Sequence, residues 1–240
     1  GDWSSDVCSS DLKGSSSVTL DGARAQAPSE VTLADPLAID LAGFDGMVVS
    51  PGVSINRHPI ADHARKAGVP IIGDIELFAL ARAELPAHRV VGITGTNGKS
   101  TTTALIHHIL ETAGIPSRLG GNIGLPILSQ EALPEGGVYV LELSSYQIDL
   151  TRSLACDVAV LTNITPDHLD RYDGFADYAA AKERLFTLQH ADQTAVIATD
   201  DGPSRMIASR VAHRLIRVSA NDIADQTLWP SLQGPHNAQN

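Results

Sequence analysis

One short segment constrains the fold more than any other: Val90-Val91-Gly92-Ile93-Thr94, followed by Gly95-Thr96-Asn97-Gly98-Lys99-Ser100-Thr101. The first five residues form an apolar, β-branched run that reads as a buried strand. Residues 100–113 read as a helix, closed by Gly114. A strand, a glycine-rich loop and then a helix is the arrangement that holds nucleotide phosphates. Gly95 and Gly98 permit backbone angles and close approach that bulkier residues resist. The helix start offers unsatisfied N–H groups and about half a positive charge. Lys99 adds a full charge, and the Ser100 hydroxyl is placed to ligate Mg²⁺. Only two residues separate Gly95 from Gly98, so this is a variant of the usual phosphate loop. ATP is the expected ligand, held by Gly95, Thr96, Asn97, Gly98, Lys99, Ser100, Thr101 and Thr102.

The rest of the chain repeats the alternation. Met47-Val48-Val49 is a brief strand stopped by Ser50-Pro51-Gly52, and residues 59–67 form a helix with Gly68 past its end. Val69-Pro70-Ile71-Ile72 is another strand, and a helix begins at residues 75–80. Pro86 and Ala87-His88-Arg89 mark a boundary. Val138-Tyr139-Val140-Leu141 and Val158-Ala159-Val160-Leu161 are continuous apolar runs, as in parallel strands covered on both faces. Residues 178–188 are helical in composition and residues 194–198 a further strand. The pattern predicts two α/β units.

Charged residues at strand ends are the next candidates. Glu142 directly follows Val138-Tyr139-Val140-Leu141, where a buried carboxylate needs a partner and Mg²⁺ is the obvious one. An arginine-paired glutamate is the alternative. Asp167-His168 follow the next strand, again at the carboxyl end where α/β folds collect their sites. His107 and His108 lie mid-helix without such neighbours and read as solvated or packing residues. Lys182, on residues alone, reads as a solvated helix position.

The formal net charge of −11 and a pI of about 5.1 leave no basic footprint for nucleic acid. Any anionic ligand must be held locally. No apolar run reaches the roughly 18–20 residues of a membrane span, and no signal-peptide pattern is visible. Two cysteines are too few for a disulfide framework, so a reducing cytoplasm is the expected compartment. Residues 1–12 are Ser/Asp-rich without period, and Asp6-Val7-Cys8-Ser9-Ser10-Asp11-Leu12 looks like a translated sequencing-library adapter. They are set aside from the fold, and on this reading the natural protein begins upstream.

Together these residues resemble the Mur ligase family of peptidoglycan synthesis, whose loop Thr94-Gly95-Thr96-Asn97-Gly98-Lys99 matches. Further stretches resemble the branch that adds D-glutamate to UDP-N-acetylmuramoyl-L-alanine. They are Gly73-Asp74-Ile75-Glu76-Leu77-Phe78, Gly120-Gly121-Asn122-Ile123-Gly124, Leu141-Glu142-Leu143-Ser144-Ser145-Tyr146-Gln147 and Asp167-His168-Leu169-Asp170-Arg171-Tyr172. The resemblance is good over residues 44–240 and poor over 13–43. It implies a partial Rossmann-like N-terminal UDP-sugar-binding domain (13–88) and a P-loop-type α/β central ATPase domain (89–240, incomplete), with the C-terminal amino-acid-binding domain absent.

The reaction it implies transfers the γ-phosphoryl of ATP to a carboxylate, and the amine of D-glutamate attacks the acyl phosphate. Lys99 would hold phosphates, Ser100 and Glu142 one Mg²⁺, and His168 a second. Lys182 matches a lysine carbamylated by CO₂, which turns +1 into −1 beside the metals. Asn122 matches a contact to the acyl-phosphate region, Ser144 one near the muramoyl substrate, and Ser50-Pro51-Gly52 a UDP-sugar turn. His236, Asn237 and Asn240 resemble a segment near adenine. Asp21, after Val18-Thr19-Leu20, is a weaker candidate for uridine. The implied partners are UDP-N-acetylmuramoyl-L-alanine and D-glutamate, and a monomer is expected. The 240-residue chain by itself is expected not to turn over. Two other readings stay open: a sister Mur ligase or folylpolyglutamate synthetase-like enzyme, and a non-catalytic nucleotide-binding module.

Overall fold

Strands with continuous apolar runs need cover on both faces, and a parallel sheet flanked by helices supplies it. The computed structural model describes residues 34–222 and, beyond them, 226, 227, 230, 234 and 237. The chain divides into two compact units, Gly1–Ile71 and Ile72–Asn240.

In the first unit, β1 (Met47–Val48) pairs with β2 (Ile71–Ile72), and α1 (Ile60–Ala67) lies between them in sequence. Helix α1 ends at Gly68 in the left-handed region (φ 69), where a side chain would be strained. A small core of Leu41, Ala64 and Val69 holds the unit together, with Ile39, Met47 and Ile71 packed against it. Ser50-Pro51-Gly52 forms a turn just after β1, closed by a hydrogen bond from Val53 N–H to the Ser50 carbonyl at 3.0 Å.

The second unit opens with α2 (Asp74–Ala81) and continues through β3 (His88–Thr94), α3 (Lys99–Thr112), β4 (Ser117–Gly121), β5 (Gly137–Glu142) and α4 (Ser145–Asp149). It then runs through β6 (Val158–Leu161), α5 (Phe175–Thr187), β7 (Thr194–Ala198), α6 (Gly202–Arg210) and β8 (Arg214–Val218). The six strands lie in the order β4-β5-β3-β6-β7-β8, and every pairing is parallel. Side chains alternate between two cores, as the strand period requires. Val91, Ile93, Val138, Val140 and Val160 meet Ile106 and Leu110 of α3. Val90, Tyr139, Leu141, Ala159 and Leu161 join the larger core with Ile75, Phe78, Tyr178, Leu185 and Ile207.

The sequence suggests a boundary near residue 88, whereas the compact units divide at 71/72. The reason is α2, whose Ile75 and Phe78 belong to the larger core. Its Glu76 is buried, and its carboxyl group accepts Arg152 N–H (2.6 Å), Ser153 N–H (2.9 Å) and the Ser153 hydroxyl (2.7 Å). Glu76→Ala would leave those donors unsatisfied. It is expected to lower stability by about 2–4 kcal/mol, read as a fall in the urea midpoint at constant slope.

Strand β3 sits between β5 and β6, and the chain turns from β3 to one side of the sheet before crossing to the other. The crevice at the carboxyl ends beside such a reversal is where open α/β sheets bind ligands.

Candidate functional site

The phosphate loop leaves β3 at that reversal. Gly98 takes the left-handed conformation (φ 82) that turns the chain into α3. Gly95 (φ 149) packs so closely on the β6 end that a Cβ would overlap the Thr162 hydroxyl. Lys99 is half-buried and its ammonium donates to the Thr96 carbonyl at 2.8 Å. Burial pulls its pKa below the ordinary lysine value, and the nearby charges of Glu142 and Asp167 oppose that shift. Thr102 is buried, and its N–H bonds to the Gly98 carbonyl at 2.9 Å. Its hydroxyl is buried with no hydrogen-bond partner among the described residues.

Glu142, the last residue of β5, is 1% exposed. Its carboxylate accepts the Ser100 hydroxyl at 2.6 Å and the Asn122 side-chain amide at 2.8 Å. No ion pair forms with it among the described residues, so the arginine-paired alternative is not what the fold builds. A buried carboxylate satisfied only by neutral donors, with a hydroxyl beside it, suits a small hard cation. Asn122 is fixed by a second bond, from its own N–H to the Glu142 carbonyl at 2.8 Å. Gly121 makes this approach possible, since a Cβ there would overlap that carbonyl oxygen.

Lys182 overturns the reading drawn from its residues alone. It is 2% exposed, with its ammonium 2.8 Å from the Gly95 carbonyl and 4.7 Å from the centre of the Tyr178 ring. Burial lowers its pKa to about 7, helped by the like charge of Lys99 and opposed by Asp167, Asp149 and Glu142. Helix α5 places it there. Tyr178, Ala181, Lys182, Leu185 and Phe186 form the buried stripe of that helix.

His168 takes the left-handed conformation (φ 51), uncommon for a residue other than glycine. Its own N–H bonds to Asp167 Oδ1 at 2.8 Å, and its carbonyl accepts Arg171 N–H at 3.0 Å. The side chain is 48% exposed and rests against Tyr146 (5.1 Å between ring centres) and Tyr178 (6.2 Å). Tyr178 thus touches both His168 and Lys182, and its hydroxyl lies 3.1 Å from the Thr96 hydroxyl. Among the described residues, no cluster of three or more His, Cys, Asp or Glu side chains could hold a metal. His168 and Lys182 would have to supply the second position between them.

Ser144 caps α4, its hydroxyl accepting Gln147 N–H at 3.2 Å in a capping box. His107 Nδ1 lies 2.7 Å from the Ser117 hydroxyl and His108 is exposed, the packing and solvated roles expected. Asn237 is half-buried, while Asp21, His236 and Asn240 lie outside the described residues. Sequence reasoning missed Thr162, Asn163, Thr165 and Tyr178 around the phosphate loop. The available signal was a polar run immediately after a buried strand.

Residues 93–239 match the Mur ligase middle domain family. The chain belongs to the Mur ligase family. This Mur ligase chain is 75% identical over 210 residues to the UDP-N-acetylmuramoylalanine--D-glutamate ligase of Sphingopyxis alaskensis, covering 87% of the chain and 48% of that protein. It is 69% identical over 216 residues to the ligase of the same name from Novosphingobium aromaticivorans, with the same two coverages of 87% and 48%. The chain spans about half the length of the curated relatives it matches. Its fold is similar to the crystal structure of the UDP-N-acetylmuramate:L-alanyl-gamma-D-glutamyl-meso-diaminopimelate ligase from Neisseria meningitides. That match has a TM-score of 0.52 at 18% identity and covers 72% of this chain and 58% of that one.

Proposed function

We propose that this chain is the nucleotide-binding part of an ATP-dependent ligase that adds D-glutamate to UDP-N-acetylmuramoyl-L-alanine in peptidoglycan synthesis. The observation that carries the chemistry is the buried Glu142, held by Ser100 of the phosphate loop and Asn122 at the reversal of the sheet. The 75% identity with a protein named for D-glutamate supports the choice of acceptor. On this reading the compact unit that ends at Ile71 belongs to the UDP-sugar-binding domain, with Ser50-Pro51-Gly52 as its sugar-nucleotide turn, and the unit from Ile72 onward to the ATP-binding domain. The enzyme works as a cytoplasmic monomer.

The loop N–H groups and Lys99 bind the ATP phosphates, Lys99 exchanging the Thr96 carbonyl for phosphate oxygens. The γ-phosphoryl passes to the substrate carboxylate, and the D-glutamate amine then attacks the activated carbon and expels phosphate. Asn122 orients the acyl group and holds Glu142 in place, while Ser144 lies toward the muramoyl substrate. His236, Asn237 and Asn240 flank adenine. Ser100 and Glu142 would hold one Mg²⁺, and His168 with Lys182 a second. Bound there, the ions neutralise charge on the phosphates.

Lys182 must first change sign. Its neutral amine adds to the carbon of CO₂ and one proton goes to solvent, leaving a carbamate. With a pKa of about 7, a large share of Lys182 is neutral at physiological pH. An exposed lysine is neutral in about one molecule in a few thousand. The carbamate nitrogen keeps one N–H, enough to retain the bond to the Gly95 carbonyl.

Acceptor-dependent ADP release by the complete ligase tests the reading. D-glutamate alone is expected to support it, with no release from L-alanine, diaminopimelate or D-alanyl-D-alanine. Activity with one of those instead would reassign the acceptor, and no acceptor dependence at all would reduce the chain to a nucleotide-binding module. The 240-residue chain alone is expected to bind ATP without turnover.

A further inference from the structure

The phosphate loop is gripped from one side by residues to which the ligase chemistry gives no part. Strand β6 ends at Leu161, and the next two residues turn their polar groups onto the loop backbone. Asn163 Oδ1 accepts Asn97 N–H at 2.9 Å, and Asn163 Nδ2 donates to the Asn97 carbonyl at 2.9 Å. The side-chain amide therefore pairs with both backbone groups of one residue, as a neighbouring strand would. The Asn163 carbonyl also accepts Thr96 N–H at 2.9 Å, and the Thr162 hydroxyl donates to the Asn97 carbonyl at 2.6 Å. Two residues further on, Thr165 N–H donates to the Thr96 hydroxyl at 3.0 Å.

Asn97 itself is exposed, and a glycine-flanked loop left to water would sample many conformations before a ligand selects one. The grip removes that freedom in advance. It also engages the Asn97 N–H, so phosphate oxygens must be met by the N–H groups from Gly98 onward. Only an amide side chain serves, because it alone offers a donor and an acceptor side by side. An aspartate could not donate.

We propose that Asn163 is a positioning residue for nucleotide: its paired bonds to Asn97 hold the phosphate loop in its ligand-accepting shape before ATP arrives. The proposal rests on the reading of this loop as the ATP site. Its bonds run to the backbone of Thr96 and Asn97, so on this proposal it acts through the loop.

Hydrogen exchange on the ligand-free 240-residue chain reads the grip directly. The Thr96 and Asn97 amides are expected to be protected in the wild type. In Asn163→Ala, and in Asn163→Leu, which keeps the side-chain volume, Asn97 is expected to exchange at least about tenfold faster, with β5 and β7 amides unchanged. Calorimetric binding of MgATP to the same proteins is expected to weaken by about ten- to a hundredfold, the loss of two hydrogen bonds. In the complete ligase the KM for ATP rises while kcat stays within about twofold, a split that general loss of structure would not give.

An Asn97 amide that exchanges at the unstructured rate in the wild type overturns the proposal without any variant. Folded variants with wild-type exchange and ATP affinity overturn it while leaving the ATP site standing. If the wild type binds no ATP, or binds it equally well as Lys99→Ala, the ATP reading fails and the nucleotide role of Asn163 fails with it.

Discussion

Lys182→Ala in the complete ligase is expected to lower kcat by about 10²–10³-fold, the cost of removing one preorganised charge from a phosphoryl-transfer site. The side chain is 2% exposed and reaches the Gly95 carbonyl at 2.8 Å, so it occupies the interior of the site rather than its rim. As an ammonium it would place a second cation near Lys99, and that repulsion contributes to the lowered pKa. As the proposed carbamate it would supply oxygens and a negative charge beside phosphates that need cations held against them. Truncation to alanine removes the charge and leaves a cavity where the side chain had been. Acetate or formate at high concentration fits that cavity and is expected to restore part of the activity, read as ADP release. Lys182→Arg keeps a positive charge but cannot form the carbamate, so it should be inactive and unrescued. Wild-type rates in Lys182→Ala would remove this residue from the reaction.

What was legible in the sequence follows from where burial comes from. Strands β3, β5 and β6 lie inside a parallel sheet and are covered on both faces, so their apolar runs stand out. Strands β4 and β8 are its edges, and Ser117-Arg118-Leu119-Gly120-Gly121 and Arg214-Leu215-Ile216-Arg217-Val218 carry no such run. Helix α6 begins with Gly202-Pro203, which reads as a turn although Asp201 caps it, accepting Ser204 N–H at 2.7 Å. Glu142 was legible because a charge ending an apolar strand is an exception that needs a reason. Lys182 was not, because Ala180-Ala181-Lys182-Glu183-Arg184 reads as a solvated helix by composition. The spacing held the missing signal: Tyr178, Lys182 and Leu185 share one helical face, and its outer members are apolar or aromatic. Asn163 was legible only as part of a polar run after a buried strand, not as a partner of the loop. Its bonds to Asn97 exist only because β3 and β6, far apart in the chain, become neighbours in the sheet.

Gly95→Ala is expected to destabilise the chain by about 3–5 kcal/mol and to abolish measurable ATP binding. Two separate penalties meet at this position. The backbone sits at φ 149, a region that side chains rarely adopt, which costs about 1–3 kcal/mol. The new Cβ would also overlap the Thr162 hydroxyl and come within 3.2 Å of Asn163 backbone atoms, and overpacking of this kind costs about 1–3 kcal/mol. Gly114→Ala separates the two effects. Gly114 has φ 73, but a Cβ there would meet nothing within 4 Å, so strain acts without collision. That variant should lose only about 1 kcal/mol and keep its ATP affinity. Relief at residue 95 has two routes, and both disable the site. Either the loop shifts away from β6 and gives up the bonds to Thr162 and Asn163, or Thr162 swings aside and loses its bond to the Asn97 carbonyl. Urea midpoints and calorimetry on the two variants would decide it. A Gly95→Ala chain no less stable than Gly114→Ala, with wild-type ATP affinity, would mean that the close packing of loop on strand end is dispensable for holding phosphate.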